Sequence, residues 1–86
     1  MYSLEIEEEV SRTFRKLLKK DRAQLEAINK KINQILSDPH QFKPLRHPLE
    51  GLHRAHIGSF VLIYRVIESR QTVQIAKYAH HDEAYL

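Results

Sequence analysis

The chain of 86 residues has no cysteine, no tryptophan and only two glycines. Without cysteine there can be no disulfide framework, no thiolate zinc site and no thiol nucleophile, and a reducing cytoplasm is the expected compartment. With glycine only at Gly51 and Gly58, no glycine-rich loop is available to cradle a phosphate. No G-x-S-x-G string occurs, which sets a serine hydrolase aside. Long apolar runs are missing as well. The longest, residues 60–64, is far shorter than the roughly 20 residues needed to span a bilayer, so no membrane partner is expected. The first residues, Met1-Tyr2-Ser3-Leu4-Glu5, carry neither a basic region nor a hydrophobic segment behind it, so no secretory signal is expected.

What remains is an ordinary globular composition, 42% hydrophobic and 29% charged, in a chain long enough for a single domain over residues 1–86. The net charge is +3, which bears on partners rather than on fold and favours nucleic acid or an acidic protein. Its distribution is more informative than its total. Between His40 and Arg65 stand Lys43, Arg46, Arg54 and Arg65 against one acid, Glu50. The same stretch holds His40, His47, His53 and His56, and His80 and His81 follow near the C-terminus. No histidine precedes His40. Groups that titrate near neutrality are thus gathered in one half of the chain.

Hydrophobic periodicity orders the elements. Tyr2, Leu4 and Ile6 alternate with polar residues and predict a short strand. Val10, Phe14, Leu17 and Leu18 predict a helix from Glu8 to Lys20, with acids leading and lysines closing it. Asp21 caps a second helix, with Gln24 as its capping-box partner and Leu25, Ile28, Ile32, Ile35 and Leu36 as its apolar stripe; Ser37-Asp38-Pro39 ends it. Residues 40–51 read as a loop. Strands are predicted over 54–57, 60–67 and 72–79, separated by the Gly58-Ser59 bend and a turn at 68–71. Residues 80–86 read as a tail too short to form an element. The order β-α-α-β-β-β predicts an α+β fold, with the helical hairpin on one face of a small antiparallel sheet. The other face is left for a partner or substrate.

Several chemistries can be weighed from these residues. His53 and His56, three apart on a strand, point to opposite faces, and no helical H-E-x-x-H spacing exists, so neither a metal nor another cofactor is expected. Arg22, Lys30 and Lys31 on the second helix read as a solvated face rather than a DNA-reading one. Cleavage of RNA fits better. An RNA phosphodiester breaks without a metal if one group takes the 2′-hydroxyl proton and another protonates the leaving 5′-oxygen, while cations steady the charge on phosphate. His47, His56 and His81 are the candidates for proton transfer. Arg54, Arg65 and Lys43 are candidates for phosphate, and Tyr85 for stacking on an unpaired base. His80 alternates with His81, so at most one of the pair is expected to face the site. The three rings at 47, 56 and 81 are expected to converge on one cationic hollow beside the sheet.

Three strings, His47-Pro48-Leu49-Glu50-Gly51-Leu52, Phe60-Val61-Leu62-Ile63-Tyr64-Arg65-Val66 and His80-His81-Asp82-Glu83-Ala84-Tyr85, add to the element order. Together they resemble the RelE/ParE superfamily of type II toxins over nearly the whole chain. Within it, His47-Pro48-Leu49, then Ala55-His56-Ile57, then Leu62-Ile63-Tyr64, and His81 with Tyr85 four residues on, look most like the YafQ-like branch. The resemblance implies a RelE-like fold and a ribonuclease that cuts messenger RNA on the ribosome. It also implies a cognate antitoxin, with promoter DNA reached only through the toxin–antitoxin complex. It assigns acid–base and phosphate roles to His47, His56 and His81, and base orientation to Tyr85. Val61 stands where many RelE-type members carry Arg and where YafQ-like members also have an apolar residue. The neutral Gly58-Ser59 bend lacks the acid that YafQ-like members carry there, leaving Glu50, Asp82 and Glu83 as the acids at hand. Two further roles are open to the same fold: a ParE-like poison of DNA gyrase, and an inactive antitoxin-binding member.

Overall fold

The computed structural model describes residues 1–85. The chain runs β1 (Ser3–Ile6), α1 (Glu8–Lys20), α2 (Arg22–Ser37), a 3-10 turn at Pro39–Gln41, β2 (Lys43–Pro44), β3 (Leu52–Ile57), β4 (Phe60–Ile67), a 3-10 turn at Glu68–Arg70, and β5 (Thr72–His80). One sheet holds the five strands in the order β1-β5-β4-β3-β2. Both helices pack on one of its faces, so the α+β class read from the element order is the one that forms.

The helix junction follows from local chemistry. Asp21 Oδ1 accepts the backbone N–H of Gln24 at 3.0 Å, and Gln24 Nε2 donates back to Asp21 Oδ2 at 3.1 Å. One residue therefore ends α1 and caps α2. Val10 and Phe14 of α1 and Ile28, Ile32, Ile35 and Leu36 of α2 then bury against Ala55, Leu62, Tyr64, Val73 and Ile75 of the sheet. Two tyrosines carry polar tips into this layer. Tyr64 is fully buried and its hydroxyl donates to the Pro39 carbonyl at 2.6 Å. Tyr78 donates to Gln24 Oε1 on α2.

Burial pushes the Tyr78 hydroxyl up to about 12. The folded value lies above the unfolded one, so this contribution is whole below pH 10 and is lost as pH rises towards about 12. In urea titrations across that window, the wild type is expected to lose stability more steeply than Tyr78→Phe. Identical slopes would show that the hydroxyl contributes nothing.

The strands depart from the sequence expectation in particular ways. β3, β4 and β5 pair antiparallel as expected, but β1 joins β5 in parallel, with Ser3 opposite Thr72 and Ile6 opposite Ile75. The sheet is therefore mixed. The helical hairpin supplies the crossover that a parallel pair requires. Lys43–Pro44, expected to lie in a loop, pairs with His53 and Arg54 as a fifth strand. Two residues are too few to show a period. The segment after β5 is also no loose tail: Ala84 is buried against Val61 and Ile63 on the face away from the helices. That contact, with Leu45 and Leu52, explains why β4 is apolar on both faces.

Candidate functional site

The open face of the sheet is built by alternation and register. Ala55 faces the helices, so its neighbours Arg54 and His56 face the other way. Arg54 lies opposite Lys43 of β2 and Ile63 of β4, and Ile63 lies opposite Lys77 of β5. One row across the sheet thus carries Lys43, Arg54 and Lys77 around a buried Ile63. The row on one side holds His56, Val61 and Ala79, and the row on the other holds Leu52, Arg65 and Gln74. Arg65 donates to Gln74 Oε1 at 3.2 Å, so its guanidinium is tied along the sheet.

Lys77 is a cation that sequence reasoning missed. Period two counted from Val73 and Ile75 assigns Lys77 to the helix side. The register shift between Ile63 and Tyr64 leaves Ala76 as an extra residue, and Lys77 then falls opposite Ile63. The unbroken run of β5 gives no sign of this bulge.

The C-terminal segment crosses this face. With Ala84 seated on Val61 and Ile63, the Tyr85 hydroxyl accepts from Arg54 Nη1 at 3.0 Å. At the start of the same turn, the His81 backbone N–H donates to the Ser59 carbonyl at 2.9 Å, and ring Nδ1 lies 3.2 Å from that oxygen. Ser59 belongs to the bend three residues after His56. His56 and His81 therefore stand at the same end of the sheet, with Arg54 and Tyr85 next along it.

His81 has a second oxygen neighbour. Its Nε2 lies 3.0 Å from Asp82 Oδ1. A carbonyl and a carboxylate can only accept, so both contacts are hydrogen bonds when both ring nitrogens carry protons. Of the acids at hand, Asp82 stands against His81 and Glu50 against His47. His80, the last residue of β5, packs edge-on to Phe60 with ring centroids 5.6 Å apart, and its ring also lies 4.6 Å from that of His81.

His47 is not gathered with the other two. It lies in the connection that enters β3 at Leu52, whereas the bend beside His56 leaves β3 at Ile57. Those ends are about 16 Å apart at roughly 3.3 Å per residue. The His47 side chain is 87% exposed and its Nδ1 lies 2.9 Å from Glu50 Oε1. The expected convergence of three imidazoles therefore does not include His47, while His56 and His81 share one end of the sheet. A loop histidine carries no period by which its end of the strand could be read.

His40 and His53 are structural. His53 stacks on Tyr64 with ring centroids 5.3 Å apart, and its Nδ1 lies 3.2 Å from the Phe42 carbonyl. His40 Nε2 meets Glu68 Oε1 at 2.6 Å, and the Tyr2 hydroxyl bonds the same carboxylate. The His40 hydrogen bond, followed by that from Tyr2, holds the Glu68 carboxyl below its usual range. Among the described residues no helix is long and apolar enough to cross a membrane.

A two-helix, five-strand domain with a cationic open face crossed by its own C-terminal turn defines a class of small α+β protein with known relatives. The family model described as ParE toxin of type II toxin-antitoxin system, parDE, matches residues 4–85. Putative toxin RelE4 of Methanocaldococcus jannaschii is 43% identical over 86 residues, which cover 99% of this chain and 92% of that protein. A chain of the toxin–antitoxin complex RelBE2 from Mycobacterium tuberculosis superposes with a TM-score of 0.78 at 26% identity, over 95% of this chain and 93% of that one. The YoeB/ParE toxin from Agrobacterium tumefaciens shares the fold with a TM-score of 0.81 at 19% identity, over 92% of this chain and 98% of that one. The chain belongs to the ParE toxin family, within the RelE/ParE superfamily of type II toxins.

Proposed function

We propose that this toxin is a ribosome-dependent endoribonuclease of the YafQ-like kind, cutting messenger RNA in the cytoplasm without a metal. The observation that carries this reading is the seating of the C-terminal turn, which joins His81 to the bend after His56 and Tyr85 to Arg54. His56 takes the proton of the 2′-hydroxyl as that oxygen attacks phosphorus. The bond from phosphorus to the 5′-oxygen breaks, and His81 gives that oxygen a proton. The products are a cyclic phosphate and a free 5′-hydroxyl. Arg54, Arg65 and Lys43 hold the phosphates, and Tyr85 orients the base. His47, at the far end of β3, contacts the strand outside the reacting phosphate.

The partner in the cell is a cognate antitoxin, as the RelBE2 neighbour is a toxin–antitoxin complex. Promoter DNA is reached only through that complex. Arg54→Ala is expected to lower kcat/KM on programmed ribosomes at least about tenfold, because a charge-assisted contact to phosphate contributes roughly 1.5–3 kcal/mol. An unchanged kcat/KM would remove Arg54 from the site.

The ParE description of the matching family model favours a second reading, a gyrase poison. The two separate in one pair of assays. Cut messenger RNA with normal supercoiling supports the nuclease, and intact RNA with trapped, cleaved DNA supports the poison.

A further inference from the structure

We infer that His80, His81 and Asp82 form a binding site for a divalent transition-metal ion such as Zn²⁺. Each of the three offers one ligand atom, and these atoms lie within 4.8 Å of one another. The hydrogen bonds orient the donors. With His81 Nδ1–H on the Ser59 carbonyl, Nε2 is the ring atom that can exchange its proton for an ion, and it lies 3.0 Å from Asp82 Oδ1. A backbone carbonyl on the outer nitrogen is the usual support of a metal-binding imidazole. His80 Nδ1 accepts the Asp82 backbone N–H at 3.2 Å and lies 3.5 Å from Asp82 Oδ2. Nδ1 therefore carries a lone pair, which an ion takes by displacing that backbone N–H. Two imidazole nitrogens thus approach one carboxylate from both sides.

The spacing fits an ion held between them. Ligands about 2.0–2.2 Å from a tetrahedral zinc stand about 3.3–3.6 Å apart, and the three donor atoms, already within 4.8 Å of one another, reach that spacing with small side-chain shifts. Two histidines and one carboxylate leave a fourth position for water or another oxygen ligand. The three side chains are 38%, 53% and 73% exposed, so an ion enters from solvent without opening the fold. The sequence hides this site, because alternation along a strand would send His80 and His81 to opposite faces. The end of β5 at His80 is what lets both rings meet.

An ion there takes the His81 Nε2 lone pair. Metal loading and proton donation by His81 then exclude each other, so the ion silences the toxin. That consequence rests on the nuclease reading, whereas the binding does not.

Isothermal titration of the metal-free, full-length chain with Zn²⁺ is expected to give one saturable site. His80→Ala, His81→Ala and Asp82→Ala should each weaken it at least about tenfold. His40→Ala and His47→Ala, placed in other ion pairs, should leave it within about twofold. The ring resonances of His80 and His81 should move with occupancy, and those of His47 should not. No saturable binding, or equal binding after Asp82→Ala and His81→Ala together, would overturn the site. In the ribosome assay, a saturating dose of Zn²⁺ should stop cutting and a chelator restore it. Continued cutting by saturated protein would overturn the silencing. A metal-free protein that does not cut counts against the nuclease reading alone, while the titration still decides the site.

Discussion

Replacing His81 with alanine is expected to slow cutting of ribosome-bound messenger RNA at least tenfold. Full loss of a general acid costs about 10²–10⁴. Arg54 and Tyr85 remain in place in this variant, since the burial of Ala84 on Val61 and Ile63 and the backbone N–H of residue 81 on the Ser59 carbonyl both survive the substitution. The loss should therefore fall on kcat with little change in KM. His81 also anchors the turn to the Ser59 carbonyl, so a structural role must be told apart from a chemical one. His81→Asn keeps a donor for that carbonyl but supplies no acid. If His81 is the proton donor, both variants are slow. If His81→Asn recovers the wild-type rate, the ring served only to hold the turn. Rates on programmed ribosomes, with circular dichroism to confirm folding, decide between them.

The largest loss of stability is expected at Tyr64. Its side chain is fully buried between the helices and β4 and stacks on His53. Tyr64→Ala removes a large buried ring and leaves a cavity, at a cost of about 3–5 kcal/mol. A domain of this size has about 5–15 kcal/mol in total and lies towards the lower end, so much of the protein should unfold. Tyr64→Phe keeps the packing but removes the donor to the buried Pro39 carbonyl, costing about 1–3 kcal/mol. Urea titrations should rank wild type, Tyr64→Phe and Tyr64→Ala in that order. A cost below about 1 kcal/mol for Tyr64→Ala would mean that this ring is not central to the core.

The parts of the fold that could be read from sequence are those set by neighbours in the chain. Asp21 with Gln24, the lysines at the end of α1 and the apolar run of β4 each act within a few residues, and they mark their elements correctly. What was not legible depends on distant partners. The parallel place of β1 is set by β5, and β2 exists only because β3 offers it hydrogen bonds. The same division holds for the site. Histidines confined to residue 40 onward, and an excess of cations over acids between His40 and Arg65, mark the half of the chain that forms the open face. Which of them meet is decided by the bulge at Ala76, by the Gly58-Ser59 bend and by the burial of Ala84. The first brings in Lys77 and the other two join His81 to the His56 end of the sheet, while His47 lies outside because its loop enters β3 at the opposite end.

The most direct test of the central claim is the chemistry of the cut ends. Purified wild-type protein is incubated with programmed ribosomes and messenger RNA, with the toxin freed of metal beforehand, and the termini of the fragments are identified. Attack by the 2′-hydroxyl with His81 as acid predicts 2′,3′-cyclic phosphate on one fragment and 5′-hydroxyl on the other. Fragments ending in 3′-hydroxyl and 5′-phosphate, or messenger RNA left whole by active, folded protein, would contradict it.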